Sequence, residues 1–100
     1  MNDGLKERYR EAISAILRAN PRVEKVVLFG SRARGKYSPA SDIDLALYGE
    51  ALTLNDLASL AAQIEALPVP QKVDLLLFDR LEDPQLREQI EKFGVEWEKP

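Results

Sequence analysis

The apolar run Val26-Val27-Leu28-Phe29 stops at Gly30-Ser31, and the next apolar run opens on two acids, Asp42 and Asp44, one residue apart. This stretch, residues 28 to 45, constrains the fold more than any other. Lys25 to Phe29 reads as a short buried strand, too brief for a helix and bounded by a turn. Asp42 to Tyr48 alternates, with Asp42, Asp44, Ala46 and Tyr48 on one face and Ile43, Leu45 and Leu47 on the other. That pattern predicts a strand with one face packed and the other partly functional. Between them, residues 31 to 41 hold Gly35, Pro39 and three serines, and read as a turn or short helix followed by an exposed loop. Two carboxylates at the mouth of a strand add nothing to a small core, so the stretch reads as a site for phosphate and metal.

The remaining elements follow from periodicity. Leu5, Tyr9, Ala12, Ile13, Ile16 and Leu17 recur at three- and four-residue spacings, which predicts an amphipathic helix over 5 to 17, ended by Asn20-Pro21. Thr53 with Asp56 resembles a capping box ahead of a second stripe, Leu54, Leu57, Ala58, Ala61 and Ile64, which ends before Pro68. Val73 to Phe78 is apolar except for Asp74 and predicts a third strand. Asp83-Pro84 is a helix start, Leu86, Ile90 and Phe93 its stripe, and Gly94 a stop; Val95 to Glu98 is a candidate edge strand. The order of helix, strand, loop, strand, helix, strand, helix predicts an α/β protein, a two-layer α+β sandwich with helices on a small mixed sheet of three to four strands. One domain over 1-100 is expected, since a chain of 100 residues buries roughly 60 to 65% of its unfolded surface.

Composition narrows the chemistry. The chain has no cysteine and no histidine, which excludes disulfides, zinc-thiolate sites and Ser-His or Cys-His nucleophile pairs within it. Catalysis would rest on carboxylates, metal ions, Lys, Arg, Ser or Tyr. A net charge of −3 argues against a non-specific nucleic-acid binder, for which a positive excess is usual. No apolar run approaches the roughly 20 residues needed to span a bilayer, and the N-terminus lacks a signal-peptide pattern, so a cytoplasmic protein is expected.

Two residues of strand advance about 6.6 Å, so Asp42 and Asp44 emerge from one face close enough to share ions, and hard oxygen ligands of this kind suit Mg²⁺ or Mn²⁺. If the strand of Asp74 is a neighbour, three acids meet at one point of the sheet and require a cation. Gly30 permits close backbone approach, and Ser31 offers a hydroxyl and an N–H to a phosphate. Arg32, Arg34 and Lys36 add cationic charge; which of them points inward is left open by the sequence.

Gly30-Ser31, ten intervening residues, Asp42-Ile43-Asp44, and then Asp74 on a later strand resemble the signature of the nucleotidyltransferases related to DNA polymerase beta. The Gly-Ser-Arg-Ala-Arg-Gly and Ser-Asp-Ile-Asp-Leu wording in a chain this short is similar to the minimal nucleotidyltransferases, the MntA-type antitoxins. The resemblance implies a polymerase beta-like core and a two-metal transfer of AMP from ATP to a hydroxyl, with two Mg²⁺ ions, Mn²⁺ being an alternative. It implies that Asp42, Asp44 and Asp74 are the catalytic metal ligands, and that Gly30, Ser31, Arg32 and Ser41 bind the nucleotide. It further implies a helical HEPN toxin as partner in a hetero-oligomer, modified on a tyrosine, with no membrane and no direct nucleic-acid contact. The alternative expectation is a non-catalytic nucleotide-binding module that neutralises such a partner by binding alone.

Plainer readings stand beside these. Asp74 by itself reads as a carboxylate satisfied by a neighbouring Arg, and Arg34 and Lys36 as solvated loop charges. Tyr37 and Tyr48 read as packing residues, and Trp97 as a cap over the last helix.

Overall fold

The computed structural model describes residues 4–97. Its centre is a four-stranded mixed sheet in the order β3-β2-β1-β4. β1 (Lys25–Phe29) pairs antiparallel with β2 (Ile43–Tyr48) and with β4 (Val95–Glu96), while β3 (Val73–Leu77) lies parallel to β2 at one edge. This is the mixed α+β arrangement that the order of elements predicts. The helices are α1 (Glu7–Arg18), α2 (Leu54–Glu65) and α3 (Pro84–Phe93). None is long and apolar enough to cross a membrane.

Sheet alternation splits the core in two. Leu28, Ile43, Leu45, Leu47 and Leu77 point to one side and meet Ile13 and Leu17 of α1 and Leu60 and Ile64 of α2. Val27, Ala46 and Phe78 point to the other, where Ile90 and the partly buried Leu86 of α3 cover them. α3 thus shields only one end of the second face. The acids lie toward the other end of that face, because Asp44 is two residues from Ala46 and on the same side of the pleat.

The helix ends follow local chemistry. α2 begins with a reciprocal capping box: Thr53 Oγ1 accepts from the Asp56 N–H at 3.1 Å, and Asp56 Oδ2 accepts from the Thr53 N–H at 2.9 Å. α3 begins at Pro84, with Asp83 Oδ1 accepting from Gln85 N–H at 3.0 Å and Leu86 N–H at 3.3 Å. α1 starts at Glu7 rather than at residue 5, since Lys6 has extended backbone and makes no side-chain cap.

Several details differ from the sequence reading. β2 begins at Ile43, with Asp42 just before it, and Phe78 leaves β3 to open a 3₁₀ turn, Phe78–Arg80. The Phe78 ring stacks on Tyr48, with centroids 4.2 Å apart. Gly94 ends α3 at a negative φ of −66°, so no left-handed stop is used; an added Cβ there would strike the Ile90 carbonyl and Val27. Trp97 packs on α1, not on the last helix: it is 3% exposed and its Nε1 donates to Ser14 Oγ at 2.9 Å. The strand expected to reach Glu98 ends at Glu96, and Glu98 lies outside the described residues.

Candidate active site

The sheet itself brings the acids together. In the parallel ladder Asp44 stands directly opposite Asp74, and in the antiparallel ladder it stands opposite Phe29, the residue before Gly30. Asp42 precedes β2 by one residue, is exposed, and belongs to the same face by alternation. Ile43 N–H donates to the Lys72 carbonyl at 2.8 Å, which holds the two strand starts level. Asp44 is half-buried, and no hydrogen bond or ion pair reaches the Asp42 or Asp44 carboxylate from the described residues.

Burial pushes the Asp44 carboxyl above the usual range, and the charges of Asp74 and Asp42 push it further, with Lys72 opposing them. A partly desolvated carboxylate with two acidic neighbours and no hydrogen-bond donor is an unfavourable arrangement for a fold by itself. It is a favourable one for a divalent cation, which hard carboxylate oxygens fit. Among the described residues no group of three acids stands close enough together to hold a metal ion, so the register aligns these carboxylates without closing them into a metal centre. Asp74 instead leans on Lys72, whose Nζ lies 3.4 Å from its Oδ1.

Gly30 closes the other wall. Its φ is +77°, and a Cβ added to it would sit 2.5 Å from Asp44 Oδ2, so both the backbone conformation and the space demand glycine. The chain then runs through consecutive turns over residues 31–35 rather than a helix. Arg34 N–H donates to the Gly30 carbonyl at 3.3 Å and Lys36 N–H to the Ser31 carbonyl at 2.9 Å. The Ser31 N–H and hydroxyl donate to nothing among the described residues. They stand directly after the glycine whose missing Cβ leaves room for Asp44 Oδ2.

Arg32 and Ser41 take a different place from the one the sequence reading gave them. Arg32 is 2% exposed, and its guanidinium donates to the carbonyls of Ser38, Pro39 and Ser41 at 3.0 to 3.4 Å. Ser41 Oγ accepts from the Ser38 N–H at 2.9 Å. Both residues therefore brace the loop that delivers Asp42. A planar fork with five N–H groups serves three loop carbonyls from one buried residue. Arg34 lies over the Phe93 ring at 5.0 Å, on the exposed end of α3.

Lys72 is the residue that sequence reading missed. The signal was present: two positions before Asp74 on an alternating strand, a lysine shares the acid's face. Gln71 was missed as well. Its Nε2 donates to the Pro39 carbonyl at 3.2 Å and ties the approach to β3 to the Arg32 loop.

A sequence profile described as polymerase beta, nucleotidyltransferase matches residues 11–96. No curated protein matches the chain at the level of sequence. Among solved structures the chain is similar to a toxin-antitoxin crystallised with AMP-PNP, at 26% identity and a TM-score of 0.74, over 91% of this chain and 73% of that one. It is similar to a chain described as a minimal nucleotidyltransferase, at 33% identity and a TM-score of 0.70, over 95% of both. A tri-AMPylated Shewanella oneidensis HEPN toxin in complex with MNT antitoxin is 21% identical with a TM-score of 0.71, over 96% of this chain and 74% of that one, a likeness of fold.

Proposed function

The chain belongs to the polymerase beta nucleotidyltransferase family and, within it, to the minimal nucleotidyltransferases, and on that premise we propose that it transfers AMP from ATP to a hydroxyl of a HEPN-type partner and so acts as an antitoxin. The observation that carries the reading is the register: Asp44 opposite Asp74, Asp42 on the same face, and Gly30-Ser31 against Asp44. The AMP-PNP and the AMPylated HEPN toxin of the similar structures support the choice of nucleotide and partner.

In this reading Asp42, Asp44 and Asp74 hold Mg²⁺ or Mn²⁺, which when bound neutralise charge on the phosphates and raise the acidity of the acceptor hydroxyl. Ser31 donates its N–H and hydroxyl to the triphosphate, and Gly30 keeps the backbone close enough for it to do so. Asp74, at the margin of the sheet, accepts the proton as the acceptor oxygen forms a bond to the α-phosphorus. The bond from that phosphorus to the bridging oxygen breaks, and pyrophosphate leaves. Arg32, Ser41 and Gln71 fix the loop that sets the height of Asp42. The family resemblance implies a tyrosine as acceptor, and a phenol, which deprotonates more readily than an aliphatic hydroxyl, is compatible with carboxylate and metal chemistry.

The test is intact mass spectrometry of a co-purified helical partner after incubation with ATP and Mg²⁺. A gain of one or more AMP units, lost in Asp42→Ala and Asp44→Ala, is expected. Modification that persists in both variants would overturn the assignment. Protection of the partner without any mass change would favour neutralisation by contact.

A further inference from the structure

Asp74 is the only member of the acid group with a partner among the described residues, and that partner is a cation of this same strand start. We propose that Lys72 is a resident counter-cation of the site, which occupies Asp74 when no metal is bound and must be displaced before a divalent cation can use that carboxylate. The inference rests on the reading of Asp74 as a metal ligand.

Three features single out Lys72. Its ammonium lies 3.4 Å from Asp74 Oδ1, and its charge is felt at Asp44 as well. Its backbone is pinned, because its carbonyl accepts from Ile43 N–H at 2.8 Å, so the side chain moves without disturbing the ladder. Its side chain is 72% exposed against 43% for Asp74, so release into solvent costs little. The same side chain borders a groove of about 420 Å³ between the end of α2 and residues 67–73, which gives it room to leave. Arg32, one of the cations of the 31–41 loop, donates to three carbonyls of that loop. A lysine suits the task better than an arginine would, since its ammonium is a point charge without the two-pronged grip that Arg takes on a carboxylate.

Competition of this kind has a sign that ordinary support of the site does not. A residue that merely builds the site weakens metal binding when removed; a competitor strengthens it. Titration of the full chain with Mn²⁺ alone, followed by the electron paramagnetic resonance of the free ion, reads this directly. Lys72→Ala should bind Mn²⁺ about three- to tenfold more tightly than the parent chain, as expected for one charge removed at close range in partly hydrated surroundings. Lys72→Arg should bind no more tightly than the parent, and Lys92→Ala, a lysine paired with Glu88 on α3, should leave the affinity unchanged. Equal or weaker binding by Lys72→Ala, with its thermal unfolding like the parent's, would overturn the proposal. Asp44→Ala separates the two layers of the argument: if it binds Mn²⁺ as the parent does, the metal site itself is wrongly placed and the role of Lys72 falls with it.

Discussion

Asp44 carries a conflict between stability and use. Burial and two acidic neighbours raise its carboxyl above the ordinary range, so in the metal-free protein its charged form is less stable folded than unfolded. A raised carboxylate makes its contribution below the unfolded value and loses it as pH rises through the folded value, so the metal-free protein gains stability from this group on acidification into the ordinary Asp range. Asp44→Asn should therefore raise metal-free stability at neutral pH by about 0.5–1 kcal/mol, with the gain shrinking as the pH falls, measured by urea unfolding across pH. The same variant should lose at least about a hundredfold in transfer if Asp44 is a direct ligand, since supporting groups of a metal alone carry about ten- to a hundredfold. Gly30→Ala combines a left-handed backbone with a contact on Asp44 Oδ2, and should cost about 1–2 kcal/mol and impair Mn²⁺ binding, both read on one purified sample.

At the scale of elements, the loop over 31–41 behaves as a part with its own frame. Arg32 inside it is nearly inaccessible and serves three carbonyls, so Arg32→Ala should destabilise the chain by about 2–3 kcal/mol and hasten amide exchange of residues 38–42. The capping box of α2 is more local: Thr53→Ala should lower stability by about 1 kcal/mol in denaturant unfolding while sparing transfer at permissive temperature. These two elements also divide what the sequence disclosed from what it withheld. Thr53-Asp56 and Asp83-Pro84 were legible because caps act within four residues; β2 was legible from its alternation, and β1 and β3 as short apolar runs. The use of Arg32 was hidden, since an arginine between a Gly-Ser turn and two acids has the same spelling whether it faces phosphate or carbonyls. Only the closure of the loop decides, and that depends on Ser38, Pro39 and Ser41 folding back over it.

For the whole molecule, the least legible contact was the longest. Trp97 reaches α1 across 83 positions to donate to Ser14, and Arg10 returns a hydrogen bond to the Trp97 carbonyl at 3.1 Å with its guanidinium 4.2 Å from the ring centroid. Neither partner is marked in a local window, since Ser14 is not among the apolar residues whose spacing predicts α1. Because the chain has one tryptophan, its fluorescence reports the docking of β4 and α1 on each other. Trp97→Phe should cost about 1 kcal/mol or more through the lost indole donor, leaving the carboxylates and Mn²⁺ affinity as they are.

The pairing of β3 with β2 has a meaning for folding as well as for chemistry. Side chains alternate across a strand, so sliding β3 by one residue would turn Asp74 into the apolar layer beneath Leu45 and Leu47 and lift Val73, Leu75 and Leu77 toward water. An all-apolar strand would tolerate such a slip at small cost, having nothing to tell its two sides apart. The acid prevents it. A charge that has no place among leucines proofreads the ladder in which it stands, so the acid proposed for transfer also rejects the misaligned sheets that would bury it.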